Sequence, residues 1–190
     1  DLSLSDTVIL SDAWDLRVSA LWRDTTSDNV EYEHHAGNSY GIGFDLLGRE
    51  DNPWRLDYLY RSNDAADDVV QFTNAAGDVL DGFLSYSRDY HRIRGRYEHN
   101  WTEKLSQTLT ASWQQTEYHD PNLFLADPAD TVLTETLRKG TRYFLATEIS
   151  WSVNDRLRIL GDIEFYDEES NIDQYDFDSL QIGIGLDYFF

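Results

Sequence analysis

The chain has 190 residues, which is room for one domain or one barrel. Its 36 acidic residues against 15 basic give a net charge of −21, which argues against a partner held through nucleic-acid phosphates. With no cysteine there are no disulfides, thiolate metal sites or cysteine nucleophiles, and no apolar run is long enough for a helical membrane span.

From the N-terminus, residues 1–13 alternate weakly, with Leu2, Leu4, Val8 and Leu10 apolar. They read as an arm or inserted segment ahead of a domain over 14–190. No basic, apolar signal segment opens the chain, so it reads as either cytoplasmic or already processed, and the periodicity must choose. From residue 14 a two-residue period takes over. Trp14, Leu16, Val18, Ala20 and Trp22 share one face of a strand over 14–24. Tyr40, Ile42, Phe44 and Leu46 do so over 39–48, and Trp54, Leu56, Tyr58 and Tyr60 over 53–62. A strand over 83–97 tests the reading, because its even phase would set Arg88, Arg92, Arg94 and Arg96 on the apolar side. At roughly 2–4 kcal/mol per arginine in an apolar medium the odd phase is the one to take, with Phe83, Ile93, Gly95 and Tyr97 outward. Further strands follow over 105–117 (Leu105, Leu109, Ala111, Trp113), 142–153 (Tyr143 to Val153), 156–166 (Leu157 to Phe165) and 179–190 (Leu180 to Phe190).

Eight strands result, joined by short turns at 49–52, 98–104 and Asn154–Asp155 and by long loops at 25–38, 63–82, 118–141 and 167–178. The expected fold class is all-β, an antiparallel up-and-down transmembrane β-barrel of eight strands. A soluble barrel of this size would turn its apolar face inward. Here that face carries five of the six tryptophans, too bulky a set for so narrow an interior. The aromatics also cluster at strand ends. Trp14 and Trp22 lie about 26 Å apart along a strand, which at a tilt of about 40° spans about 20 Å of membrane normal. The expected girdle comprises Trp14, Trp22, Trp54, Tyr60, Tyr97, Trp113, Trp151, Tyr188 and Phe190, with Tyr40, Tyr143 and Phe165 in its outer ring.

This pattern, closing on Leu186, Tyr188 and Phe190, resembles the bacterial outer-membrane β-barrel class, in particular small eight-stranded barrels of the outer-membrane protein A and X type. The resemblance covers 14–190 through architecture, without a family-specific motif. It implies the cell outer membrane of a Gram-negative bacterium, a periplasmic place for residues 1–13 if they are an arm, and membrane lipid and lipopolysaccharide as surroundings. It also implies recognition of the terminal aromatic by the outer-membrane assembly machinery.

The charges sort by face. The expected lumen network is Arg17, Arg55, Asp57, Arg88, Arg92, Arg94, Arg96, Arg142, Glu148, Arg158, Asp162, Glu164 and Asp187, with Arg23, Arg61, Asp15 and Asp45 on the same side. In so narrow a space these must largely pair, giving a plug rather than a pore, since unpaired buried charge is costly. Glu148 and Asp162 are expected within reach of Arg142 and Arg158. The four long loops hold eighteen acidic residues against Arg138 and Lys139. Their densest run, Asp167 to Glu169 with Asp173, Asp176 and Asp178, lacks the glycine and spacing of a calcium loop, so it reads as solubilising charge, with divalent cations a further candidate partner.

No catalytic motif occurs. His34 and His35 stand beside Glu31 and Glu33 without a third metal ligand, and His99 and His119 have nothing to recommend them. Ser87, Asp89 and His91 share the outward phase, as in lipid A-modifying barrel hydrolases, but four strand positions separate the serine from the histidine, too far for a direct bond. The sequence therefore predicts no enzyme, catalytic residue, metal or cofactor. It predicts a structural or interaction role, or service as the barrel partner of another envelope protein. The alternatives are a narrow pore or part of a larger translocation barrel, and a lipid A-modifying enzyme.

Overall fold

The computed structural model describes residues 2–25, 37–49, 53–65, 68–127 and 129–189. Nine strands make one antiparallel sheet: β1 (Leu2–Ile9), β2 (Trp14–Thr25), β3 (Gly37–Gly48), β4 (Trp54–Ala65), β7 (Arg88–Thr102), β8 (Leu105–Tyr118), β11 (Lys139–Asn154), β12 (Leu157–Ser170) and β13 (Phe177–Tyr188). They pair in that order, each with its predecessor. The all-β, antiparallel, up-and-down character is as expected, and the eight long strands β2 to β13 answer to the eight read from the sequence.

Closure is another matter. β1 and β13 are free edges, so the sheet is not closed into a barrel. Residues 1–13 supply the ninth strand, with Leu2 opposite Trp22 and Val8 opposite Leu16. Nine successive antiparallel strands leave β1 and β13 running the same way. β1 also holds the edge of β2 that β13 would need for an eight-stranded antiparallel closure.

Two of the expected loops carry structure. β5 (Asp68–Thr73), β6 (Val79–Leu84), β9 (Asn122–Phe124) and β10 (Thr134–Thr136) form a second sheet ordered β10-β9-β6-β5. The strand expected over 83–97 is therefore split. Phe83 belongs to β6 and pairs with Leu123, while β7 starts at Arg88 and runs on to Thr102, which shortens the expected 98–104 turn to residues 103–104. Side chains make the break. The Ser85 amide donates to the Oδ1 of Asn122 at 2.8 Å, and the Ser87 hydroxyl donates to the carbonyl of Ala65 at 2.9 Å. Both serines and Asn122 are buried, so these bonds replace the ladder that a continuous strand would have made.

The register keeps one parity per face across all eight long strands. One cross-strand row reads Leu16, Leu46, Leu56, Gly95, Ala111, Leu145, Phe165 and Leu180, apolar or small throughout. The apolar band does not follow such rows for its whole width. Its upper limit is Trp22 on β2, Tyr60 on β4, Ile93 on β7, Tyr143 on β11 and Leu180 on β13. The row through Leu180 meets β2 at Leu16, six residues from Trp22. That drift accumulates over seven strand-to-strand steps. At about 3.3 Å per residue and about 4.8 Å between strands, the band is inclined by about 30° to the hydrogen-bonding direction.

The buried apolar residues, Tyr118, Phe124 and Ile172, all lie at the end of the long sheet that carries the second sheet. The apolar band itself is uncovered, with Ile42, Phe44 and Ile163 near half exposed and Ile184 84% exposed. At Gly82 a Cβ would stand 2.5 Å from the carbonyl oxygen of Leu123, so β9 can approach β6 only over a glycine. Gly82→Ala is expected to cost about 1–3 kcal/mol and to undock the second sheet before the long one unfolds. Urea titration followed by limited proteolysis within 68–136 checks this.

Candidate functional site: the charged face of the sheet

The face opposite the apolar band is built by the same alternation. One of its rows reads Arg17, Asp45, Asp57 and Arg94 on β2, β3, β4 and β7. Two carboxylates therefore stand opposite each other, and like charges so placed repel. Each is held between two arginines. Asp45 takes Arg17 at 2.6 Å and Arg55 at 3.6 Å, while Asp57 takes Arg94 at 2.6 Å and Arg92 at 3.6 Å. Asp57 is 5% exposed, so its charge depends on those two partners. Nearby, Arg49 approaches Asp15 at 3.5 Å.

On the other half of the sheet, Arg158 donates to Asp187 directly across from it at 2.5 Å, and Arg142 donates to Glu168, also directly across, at 2.8 Å. Arg138, which the sequence left in a loop, reaches the other oxygen of Glu168 at 3.4 Å and stacks on the rings of Tyr118 and Tyr175 at 4.7 and 3.6 Å. Glu168 lies beyond Phe165, where the apolar band ends on β12. Burial works against its charge, but the hydrogen bonds from Tyr166 and Arg142 and the fields of Arg142 and Arg138 outweigh burial and lower its pKa.

Arg142 and Arg158 therefore do not pair with Glu148 and Asp162 as expected. The register gives each arginine a carboxylate straight across the ladder, which is closer than one further along the strand. Glu148 and Asp162 instead oppose each other. With Glu164 and Arg96 they line a small cavity of about 190 Å³, and none of the three acids has an arginine partner among the described residues. Among the described residues Arg96 reaches Glu98, at 4.0 Å. Arg88 donates to the hydroxyl of Tyr118 at 3.2 Å.

On the apolar face Trp22, Trp54, Trp151 and Tyr188 are exposed, and Trp14, Tyr60, Tyr97 and Trp113 half-buried. Trp54 and Tyr97 are in ring contact at 4.5 Å. Trp101 was missed because 98–104 read as a turn. It carries the parity of Tyr97 and His99 onward and packs edge-on against His99 at 4.6 Å. Phe190 and the group His34, His35, Glu31 and Glu33 lie outside the described residues.

The outward trio does not assemble into a nucleophilic site. Ser87 is latched to the backbone of Ala65, His91 accepts or donates at 2.8 Å to the Tyr58 hydroxyl, and Asp89 pairs with His119 at 2.9 Å. Comparison with protein-family profiles, curated proteins and solved structures returns no match.

Two substitutions separate the kinds of charge on this face. Asp57→Asn leaves Arg92 and Arg94 without a counter-charge and is expected to lower stability by about 3 kcal/mol, whereas Asp187→Asn, at a half-exposed pair, costs under about 1 kcal/mol. Asp162→Asn removes the repulsion with Glu148 and is expected to raise stability by about 0.5 kcal/mol. Urea midpoints of the three variants, each against wild type, are the readout.

Proposed function

We propose that the chain is an integral β-barrel of a bacterial outer membrane, with its charged face turned to an interior filled by ion pairs and its apolar band in lipid. Its role is structural or interactive, through acidic loops outside the bilayer and through an envelope protein as partner. The observation that carries this reading is the inclined apolar band. A bilayer imposes a level boundary, and strands tilted through it must shift their apolar stretch steadily along the chain from strand to strand. The drift of six residues over seven steps is that shift, and its inclination of about 30° lies near the tilt of membrane barrels. A soluble sheet that buries one face on a layer above it needs no such drift.

On this reading β13 replaces β1 on the edge of β2 when the barrel closes. Asp6 supports the exchange. It occupies the apolar row of Val18, Phe44, Tyr58 and Ile93, where a lipid-facing strand would not carry a carboxylate. The absence of native cysteine makes the test clean. In lipid vesicles Ala20→Cys is expected to cross-link with one of Ile182→Cys, Ile184→Cys or Leu186→Cys, and not with Leu4→Cys, its neighbour across β1 and β2. Cross-linking to Leu4→Cys alone would defeat the eight-stranded closure.

A second reading, a section of a larger translocation barrel or pore, is favoured by β1 holding that edge and by the parallel sense of the two end strands. It predicts the Leu4→Cys product together with steady channels in planar bilayers.

A further inference from the structure

A cavity of about 550 Å³ opens on the charged face at the end that carries the second sheet, lined from seven strands, β2 to β12. Among the described residues five arginines line it, Arg23, Arg61, Arg88, Arg138 and Arg142, and Glu168 is the carboxylate on the charged face beside them. A chain with a formal charge of −21 thus gathers arginines in one small space.

The acceptors there are already committed. The oxygens of Glu168 take Arg138, Arg142 and the Tyr166 hydroxyl. Arg61 has a neutral partner, the hydroxyl of Ser39 at 2.9 Å, and Arg88 has the phenol of Tyr118. The buried Nε atoms of Arg61 and Arg138 have no acceptor. A guanidinium carries five donors and holds its charge at any working pH, so Arg61 and Arg88 keep donors that no carboxylate among the described residues takes up. The deficit is one of anionic oxygens. Arginine forks match phosphate in geometry, the volume is that of a small-molecule site, and Asn63 and Thr25, on the same face, add neutral partners suited to hydroxyl groups.

We propose that this cavity binds a small phosphorylated sugar, its phosphate between Arg61 and Arg88 and its hydroxyls towards Thr25 and Asn63. The shared chemistry has two sources, a free sugar phosphate and the phosphorylated headgroup of an outer-leaflet glycolipid. The free molecule is favoured, because the cavity lies on the face opposite the apolar band.

Calorimetry on the full chain in detergent micelles tests this with glucose 6-phosphate, with glucose, and with diphosphoryl lipid A as competitor. Micelles do not require the strand exchange on β2, which the cysteine pairs test separately. Saturable binding of glucose 6-phosphate is expected, weakening with salt. It should be at least tenfold weaker in Arg61→Gln and in Arg88→Gln and unchanged in Arg156→Gln, a turn residue outside the cavity, with all three folded by circular dichroism. Arg61→Lys serves in place of Arg61→Gln if the latter does not fold. No saturable binding, equal binding of glucose, or wild-type affinity in both Arg61→Gln and Arg88→Gln would overturn the proposal. Competition by lipid A that is lost in Arg88→Gln would assign the phosphorylated sugar to the glycolipid, and its absence would assign it to the free molecule.

Discussion

The charged face depends on two carboxylates that face each other. Asp45 and Asp57 sit in register on adjacent strands, an arrangement that is unfavourable alone. Arg17 and Arg55 on one side, and Arg92 and Arg94 on the other, turn it into a strip across four strands in which each carboxylate is held by two guanidiniums. The strip also fixes register. A slip of one residue on any of these strands would move its charged side chains to the apolar face and its tryptophans and leucines to the charged one. Stability and uniqueness of the pairing thus have one source, and the half-exposed Arg158–Asp187 pair at the far end of the sheet adds to it only weakly.

Much of this was legible because alternation is a local signal. Arg92, Arg94 and Arg96 declare their phase through the cost of the other one, and the eight long strands follow from apolar residues two apart. What escaped the sequence depends on contacts remote along the chain. Asn122 interrupts the strand through the amide of Ser85, 37 residues away, and neither residue differs in type from those of an ordinary loop. The partners of Arg142 and Arg158 are set by which residues lie straight across the ladder, and alternation gives face but not register. Arg138 looked like loop charge because its place beside Glu168 and Tyr118 requires β8, β11 and β12 together. The weak alternation in residues 1–13 was visible; that it continues the sheet on the edge of β2 was not.

The molecule has two ends with different physics. Where the second sheet packs, Tyr118, Phe124 and Ile172 are buried and the polar atoms of Asn122 and Ser85 are enclosed, as in the core of a water-soluble domain. Along the long sheet no covering layer exists among the described residues, and Leu, Ile, Phe and Trp side chains stand open. Contiguous apolar surface on this scale is far larger than a soluble monomer exposes. The charged cavity lies at the first end, where the strands have run past the apolar band.

β1 also bears on how the sheet behaves in water. An unpaired edge of β2 would offer a row of free amides and carbonyls beside Trp22, Val18 and Leu16, a template onto which another copy could add a strand. β1 covers that row and presents in its place a short edge interrupted by Asp6, whose charge faces outward among Leu4 and Val8. Two such edges brought together would bury a carboxylate in apolar contact on each side. The N-terminal strand therefore blunts self-assembly of the sheet in water at the flank of β2.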